Sequence, residues 1–335
     1  MKKPRLRSID DLAKLAGVSK STVSRALNDS PLVGVATKDK ILALAKDYDF
    51  RPSVTARALS TRSSRTVAFV IDAYDPECGL HSPFSLEIMG GAATGLHELG
   101  YGMLIVQADG ARGDWAEEYL VSGRVDGFIL MTYENKRRHV QALVDLEAPF
   151  TVWGSCDMDP CCSVSTDNRL GGRLAGEHLV ATGRRRIGFI GGSMDDSEVV
   201  QRLLGFSEAV AIDRSLHTPG LEAFGDFSEP SGFVAMNELL DRDGSVDAVF
   251  AAGDMMAIGA IRALATRGRR VPDDVAIVGY DDLFVSAFTT PSLTTISQHI
   301  ADTGRTLASR LVANIERGVV ESAVVPVELI KRDSA

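Results

Sequence analysis

The chain has 335 residues, 45% of them apolar and 24% charged, with a formal net charge of −9. That length exceeds one typical domain, and the apolar content is enough to bury one or two sizeable cores. No run of eighteen apolar residues is present to span a bilayer, and the basic N-terminus passes straight into a helical pattern without an apolar signal core. These features argue against a membrane or exported protein and predict a cytoplasmic location.

The charge is unevenly placed. Residues 1–65 hold 14 basic and 6 acidic side chains, a net of +8, while the remainder holds 22 and 39, a net of −17. A basic head on an acidic body suits binding of a phosphate polyanion through one end only.

Within that head, SIDDLAKLAGVSKSTVSRALNDS from Ser8 to Ser30 predicts two short helices across a Gly-centred turn. Ser8 stands before the first apolar-periodic residue and Asp11 three later, an N-cap with a capping-box partner. Ile9, Leu12, Ala13 and Ala16 then face inward. Gly17 supplies the left-handed turn, Val18 plugs the core, and Ser19 caps the second helix. There Val23 and Leu27 share one face, while Lys20, Ser21, Ser24, Arg25 and Asn28 share another. The apolar side packs on the first helix, which leaves the polar side for a major groove, where Arg makes two hydrogen bonds to guanine. A merely solvated stripe is the commoner fate of such a face, and the basic head decides against it.

A third helix is predicted from Thr37 to Tyr48, with Ile41, Leu42 and Ala45 inward. Pro52 breaks it. The segment Ser53–Ser60 is too short for an isolated helix and should order only on a partner. From Thr66 onward, β-rich runs at 66, 101, 127, 150, 187, 248 and 275 alternate with helical stretches at 85–99, 171–182, 200–212 and 254–267, several closed by Gly100, Gly183 and Gly268. This alternation predicts a doubly wound α/β body of two subdomains with a cleft between them. Cys78, Cys156, Cys161 and Cys162 form no C-x-x-C pair and have no His spaced to complete a zinc site, so reduced structural thiols are expected. No metal or cofactor is predicted.

The chain resembles the lactose-repressor/galactose-repressor (LacI/GalR) family of bacterial transcription regulators over nearly its whole length. The resemblance is carried in order by DLAKLAGVSKSTVSRALN, FRPSVTARALS, STDNRLGGRLAGEHLVATGRRRIGFIGG, QRLLGF, VPDDVAIVGYDD and PSLTTISQ. It implies an all-α helix-turn-helix head over residues 1–50, a hinge helix over 51–62 and an effector-binding and dimerisation body over 63–332. The body would comprise two parallel-sheet subdomains of periplasmic-binding-protein type, one over 63–165 and 294–325, the other over 166–293 and 326–332, with crossings near Ser165, Leu293 and Val325. Tetramer-forming members carry an extra heptad tail; this chain stops shortly after VELIKRDSA, so a homodimer on a pseudo-palindromic double-stranded operator is expected.

By the same resemblance, Lys20, Ser21 and Arg25 are implied as base readers and Ser8, Ser19, Thr22, Ser24 and Asn28 as phosphate contacts. Ala56 and Leu59 match the hinge residues that enter the minor groove, with Leu59 as the wedge rather than an ordinary core leucine. Arg202, Phe227 and Asp281 are implied as effector ligands, joined by Phe84 and Ser85 in the loop after the first strand. Carboxylate, guanidinium and aromatic together suit a sugar, which presents hydroxyls at its edge and C–H on its faces. A core role for Phe227 and a purine effector are the alternatives. Two departures stand out: Gly253 replaces the family's effector-touching Asn, and Gly34 replaces a Ser that caps the third helix and touches phosphate.

Two other classes compete. An enzyme is disfavoured because the chain has no P-loop, nucleophile elbow or dinucleotide fingerprint, and the adjacent Asp281 and Asp282 alone do not make acid–base machinery. In the family reading Asp282 is a structural hydrogen-bonding partner. A periplasmic solute-binding protein would share the body but not the basic head.

Overall fold

The structure, a computed structural model, describes residues 6, 8–27, 30–50, 63–72, 80–108, 115–131, 136–158, 160–211 and 220–335. The expectations for Asn28, Ala56, Leu59 and Cys78 lie outside the described residues. The chain divides into two compact units, residues 1–64 and 65–335.

In the smaller unit, helix α1 (Ile9–Ala16) begins where its sequence dictates. The Ser8 hydroxyl accepts the Asp11 N–H at 3.2 Å, and the Asp11 carboxylate accepts the Ser8 N–H at 3.2 Å. Gly17 ends it at φ 71°. Helix α2 (Lys20–Leu27) is capped by Ser19, whose hydroxyl accepts the Thr22 N–H at 3.1 Å. Helix α3 (Val35–Asp47) starts at Gly34 without a side-chain cap, as the missing hydroxyl implies. Leu12, Val23, Ile41 and Phe50 form the core, with Val18 packed against it. Leu42 is exposed rather than inward. One residue beyond Ile41 the helix has turned by about 100°, so the inner face runs through Ile41, Leu44 and Ala45 instead.

The larger unit opens with β1 (Thr66–Asp72), α4 (Pro83–Glu98), β2 (Gly102–Ala108), α5 (Trp115–Val121) and β3 (Gly127–Met131). It continues through α6 (Lys136–Asp145), β4 (Phe150–Trp153), β5 (Ser163–Thr166), α7 (Asn168–Ala181), β6 (Ile187–Gly191) and α8 (Ser197–Ala211). Then follow β7 (Glu222–Phe224), α9 (Glu229–Arg242), β8 (Ala248–Ala251), α10 (Asp254–Thr266) and β9 (Ala276–Asp281). β10 (Thr294–Ser297), α11 (Ile300–Arg317), β11 (Ala323–Val325) and β12 (Glu328–Ile330) complete it.

One sheet has the order β11-β5-β4-β3-β1-β2 and the other β12-β10-β9-β8-β6-β7. All pairings are parallel except that of β10 with β12. Strand β3 is buried along its whole length and so are β6, β8 and β9, which is why they read as continuous apolar runs and were legible. Helix α4 packs on α11, and α7 on α8.

The chain passes between the sheets three times, after β5, after β10 and after β11. The second passage lies at Gln298–His299, not near Leu293, because Thr294–Ser297 pairs with β9 and β12 inside the second sheet. This strand is polar in sequence yet buried. Thr295 donates its hydroxyl to Asp254 at 2.5 Å, and the Thr294 hydroxyl accepts the Arg332 N–H at 2.9 Å. The expectation of reduced thiols fails at Cys156 and Cys161, which form a disulfide with Cα atoms 6.5 Å apart; Cys162 is a free, buried thiol. The connection from β4 to β5 turns back on itself and brings two residues five apart into bonding reach, which no spacing rule for zinc or redox motifs anticipates.

Candidate functional site

Two places in the chain gather chemistry. In the head, Val23 and Ala26 of α2 are buried, whereas Lys20, Ser21 and Arg25 are exposed and Thr22 and Ser24 half-buried. Five of the implied DNA contacts thus lie clear of the core on the outer part of one short helix. The Lys20 ammonium meets the Asp10 carboxylate at 2.5 Å, with both side chains substantially exposed, a pairing that water and salt screen readily. Ser8 and Ser19 serve first as helix caps. Ser19 also bonds the Ser21 and Thr22 hydroxyls at 2.8 Å each, so these hydroxyls form one polar cluster at the N-terminus of α2, where the helix dipole favours an anion.

The second place is a cavity in the body, lined by Ser82, Pro83 and Phe84 from one subdomain and by Asp196, Arg202, Phe227, Met255, Asp281 and Leu283 from the other. Gln298, on the second passage, also lines it. The residues of the second subdomain lie beyond the carboxyl ends of β6, β7 and β8 and at the end of β9, where doubly wound sheets present their loops to ligands.

Arg202 projects from α8 and is 5% exposed. Its Nε donates to the Asn168 Oδ1 at 2.7 Å, one terminal nitrogen donates to the Ala252 carbonyl at 2.6 Å, and the guanidinium lies 3.7 Å from the Tyr280 ring centroid. Asn168 also accepts from the Tyr280 hydroxyl at 3.2 Å, so a buried polar frame fixes the arginine. Gly172 permits it: a Cβ there would overlap the Arg202 carbonyl. Burial of Tyr280 pushes its phenol up to about 12, keeping it a neutral donor.

Asp281 ends β9 at φ 124°, a strained angle for a residue with a side chain. Its carboxylate accepts from Gln298 Nε2 at 2.6 Å. Burial raises it to about 7 despite the opposing pull of Arg202. Behind it Asp254 is fully buried; it accepts the Leu283 N–H at 2.8 Å and the Ser286 hydroxyl at 2.6 Å, and burial together with Asp281 raises it to about 8. Asp196 is raised to about 8 by burial and by its neighbour Glu198. Asp282 points elsewhere, paired to Arg332 at 2.6 Å.

Two aromatics face the cavity. Phe84, near the start of α4, leans on Trp153 with ring centroids 5.5 Å apart. Phe227, at φ 61°, lies over Gly192 and beside Gly253. A Cβ at Gly253 would come within 2.9 Å of the Phe227 ring, and one at Gly192 would overlap it. The glycine that departs from the family pattern therefore makes room for the aromatic. Ser85 does not join the others: it is 2% exposed in the first turn of α4 and is not among the lining residues. Its neighbour Ser82, the cap of that helix, lines the cavity instead. Sequence reasoning also missed Asp196, Met255, Leu283 and Gln298. SMDDSE after β6 and the Gln of PSLTTISQ carried a signal for two of them; the two apolar residues carried none.

A helix-turn-helix unit followed by a two-sheet body with a ligand cleft defines a DNA-binding regulator built on a periplasmic-binding scaffold. Residues 8–53 match the model for bacterial regulatory proteins of the lacI family, and residues 177–335 that for a periplasmic binding protein-like domain. The chain is 35% identical over 340 residues to the HTH-type transcriptional regulator CelR of Thermobifida fusca, covering 100% of both. The solved complex of transcriptional regulator CelR with cellobiose superposes with a TM-score of 0.75 at 34% identity, over 98% of this chain and 100% of that one. The lac repressor dimer bound to operator and the anti-inducer ONPF gives 0.83 at 28% identity, over 99% of each chain. The chain belongs to the lacI family of transcriptional regulators, a family of DNA-binding regulators rather than enzymes.

Proposed function

We propose that the protein is an operator-binding repressor whose DNA affinity is set by a sugar or sugar derivative held in the cleft. The observation that carries this reading is the cavity itself. It gathers the aromatic rings of Phe84 and Phe227, the Arg202 guanidinium and the Asp281 carboxylate around one space. A sugar offers C–H faces to the rings and hydroxyl edges to the guanidinium and the carboxylate. CelR is solved with cellobiose, which supports the same class of ligand here.

On DNA, two heads of a homodimer dock α2 in successive major grooves of a pseudo-palindromic operator. Arg25, Lys20 and Ser21 read base edges, while Ser8, Ser19, Thr22, Ser24 and Asn28 hold phosphates. Ala56 and Leu59 enter the minor groove between the heads. Within each body, effector contacts from both subdomains favour one relative arrangement of the two, and that preference shifts the equilibrium between operator-competent and incompetent forms. The regulator acts where its DNA is, in the bacterial cytoplasm, and needs no cofactor.

A thermal-shift screen of mono- and disaccharides, cellobiose included, with purine bases as the competing class, tests the proposal. A ligand at a hundred times its dissociation constant adds roughly 2.7 kcal/mol of stability. Stabilisation by a purine base and by no sugar would overturn the sugar assignment.

A further inference from the structure

The connection between β4 and β5 carries three cysteines and one contact that reaches across the cleft. Ser155, in the first subdomain, donates its N–H to the Glu198 carboxylate of the second at 2.6 Å. Its hydroxyl bonds the Ser197 hydroxyl at 2.6 Å and Glu198 at 3.2 Å. Glu198 is 4% exposed and Ser155 exposed, so the bond joins a buried carboxyl group to a residue at the surface. The next residue is Cys156, bonded to Cys161. Both cysteines are half-buried, whereas Cys162 is buried, donates its thiol to the Glu321 carbonyl, and is held up in its protonated form by burial.

We propose that Cys156 and Cys161 are a thiol–disulfide exchange site whose oxidation state sets the cross-cleft contact made by Ser155. The geometry separates the three cysteines by role: the pair is near the surface and bonded, and the third is inert. A disulfide five residues in span ties the Ser155 end of the connection to the start of β5, leaving the chain fewer arrangements in which Ser155 turns away from Glu198. Opening the bond releases that tie without touching the sheet, because the Val152 N–H and the Gly154 N–H stay on the Cys162 and Val164 carbonyls of the neighbouring segment.

The reacting partner is a low-molecular-weight thiol and its disulfide. In oxidation, the thiolate of one cysteine attacks the small disulfide and expels one small thiolate. The thiolate of the other cysteine then attacks the mixed disulfide and expels the second. Two S–H bonds are lost from the protein, and the two electrons leave with the two small thiols. Reduction is the reverse. In an interior where thiols are kept reduced, such a pair reports a shift of the pool, and here it sits one residue from the contact that joins the subdomains. The idea depends on the geometry of the cleft and not on which effector fills it.

The test uses the full chain, incubated with reduced or with oxidised glutathione, alkylated under denaturing conditions and mapped by mass spectrometry. The expected result is a Cys156–Cys161 crosslink in the oxidised sample, alkylation of both in the reduced one, and an alkylated Cys162 in each. Hydrogen exchange at the Ser155 amide should then be on the order of ten-fold faster in the reduced protein and in the Cys156→Ser and Cys161→Ser variants. Glu198→Gln should weaken protection in both redox states, which assigns the protection to the cross-cleft bond. No crosslink under oxidised glutathione, a crosslink through Cys162, or equal Ser155 protection in the two states would each overturn the proposal.

Discussion

Asp281→Asn separates ligand recognition from stability, with opposite signs. Asp281 is buried and its carboxyl is raised from 3.8 to about 7, chiefly by loss of hydration, so its charged form opposes folding. A group whose folded value is raised contributes stability that is fully present below its unfolded value and lost as pH rises through the folded one. Wild-type stability should therefore decline between roughly pH 4 and pH 7 at this site, and Asp254 extends the decline toward about 8. Three pK units correspond to about 4 kcal/mol; because the two carboxyls are adjacent and share the burden, about half of that is the expected gain. Asn keeps an oxygen to accept from Gln298 Nε2, so the neutral variant should be roughly 2 kcal/mol more stable than wild type at pH 8 and nearly equal to it at pH 4. The same change removes the charge proposed to bind effector hydroxyls. Each such bond is worth about 1.5 to 3 kcal/mol, so effector affinity should fall by one to two orders of magnitude. Urea unfolding at pH 4 and pH 8 with calorimetric titration of the effector reads both quantities. A variant less stable than wild type at pH 8, or one with wild-type effector affinity, would refute the reasoning.

Arg202→Ala should lower effector affinity by a similar one to two orders while leaving effector-free operator binding nearly unchanged; unlike Asp281→Asn it should also destabilise the body, since it deprives the Ala252 carbonyl of its guanidinium donor. Arg25→Ala should cost about 1 to 3 kcal/mol per half-site and relax preference at one base pair, and binding selections that recover the wild-type motif would rule out the assignment. Amides of residues 54–60 should exchange freely without DNA and become protected on operator, and replacing Leu59 should reduce DNA bending along with affinity; protection already present in the free protein would contradict folding coupled to binding. Operator must change effector affinity by the same factor that effector changes operator affinity, about 5- to 150-fold for typical couplings, and identical effector titrations with and without operator would remove allosteric control.

The head was legible because its signals are local. Ser8, Asp11, Gly17 and Ser19 act within four residues of themselves, and the structure puts each at the helix boundary its chemistry favours. Fully buried apolar strands were equally plain. Helices α6 and α9 escaped because KRRHVQALVD and EPSGFVAMNELLDR are rich in polar side chains and bury only part of one face. The polar strand β10 escaped because its threonines are solvated by protein rather than water. In the cleft, Arg202 and Asp281 had a sequence signature and the apolar lining had none: Met255 and Leu283 are ordinary core residues by type, and only the folding of one subdomain onto the other makes them walls.

Gln298 shows why cleft and hinge are not separate devices. It sits on the second passage between the sheets, its carbonyl oxygen accepts the Thr166 hydroxyl at 2.8 Å beside the first passage, and its amide donates to Asp281 at 2.6 Å in the cavity. The amide cannot be reversed without placing its NH2 against Thr166 and its oxygen against a carboxylate, so the acid in the cleft fixes the orientation of the side chain that ties two crossing segments together. A ligand that draws the Asp281 carboxylate toward its own hydroxyls competes with Gln298 for the same lone pairs. In the proposed reading, the residues that would bind effector and the segments that cross between the subdomains share one buried hydrogen-bond chain, so occupancy of the cleft should be felt at the crossing through Gln298.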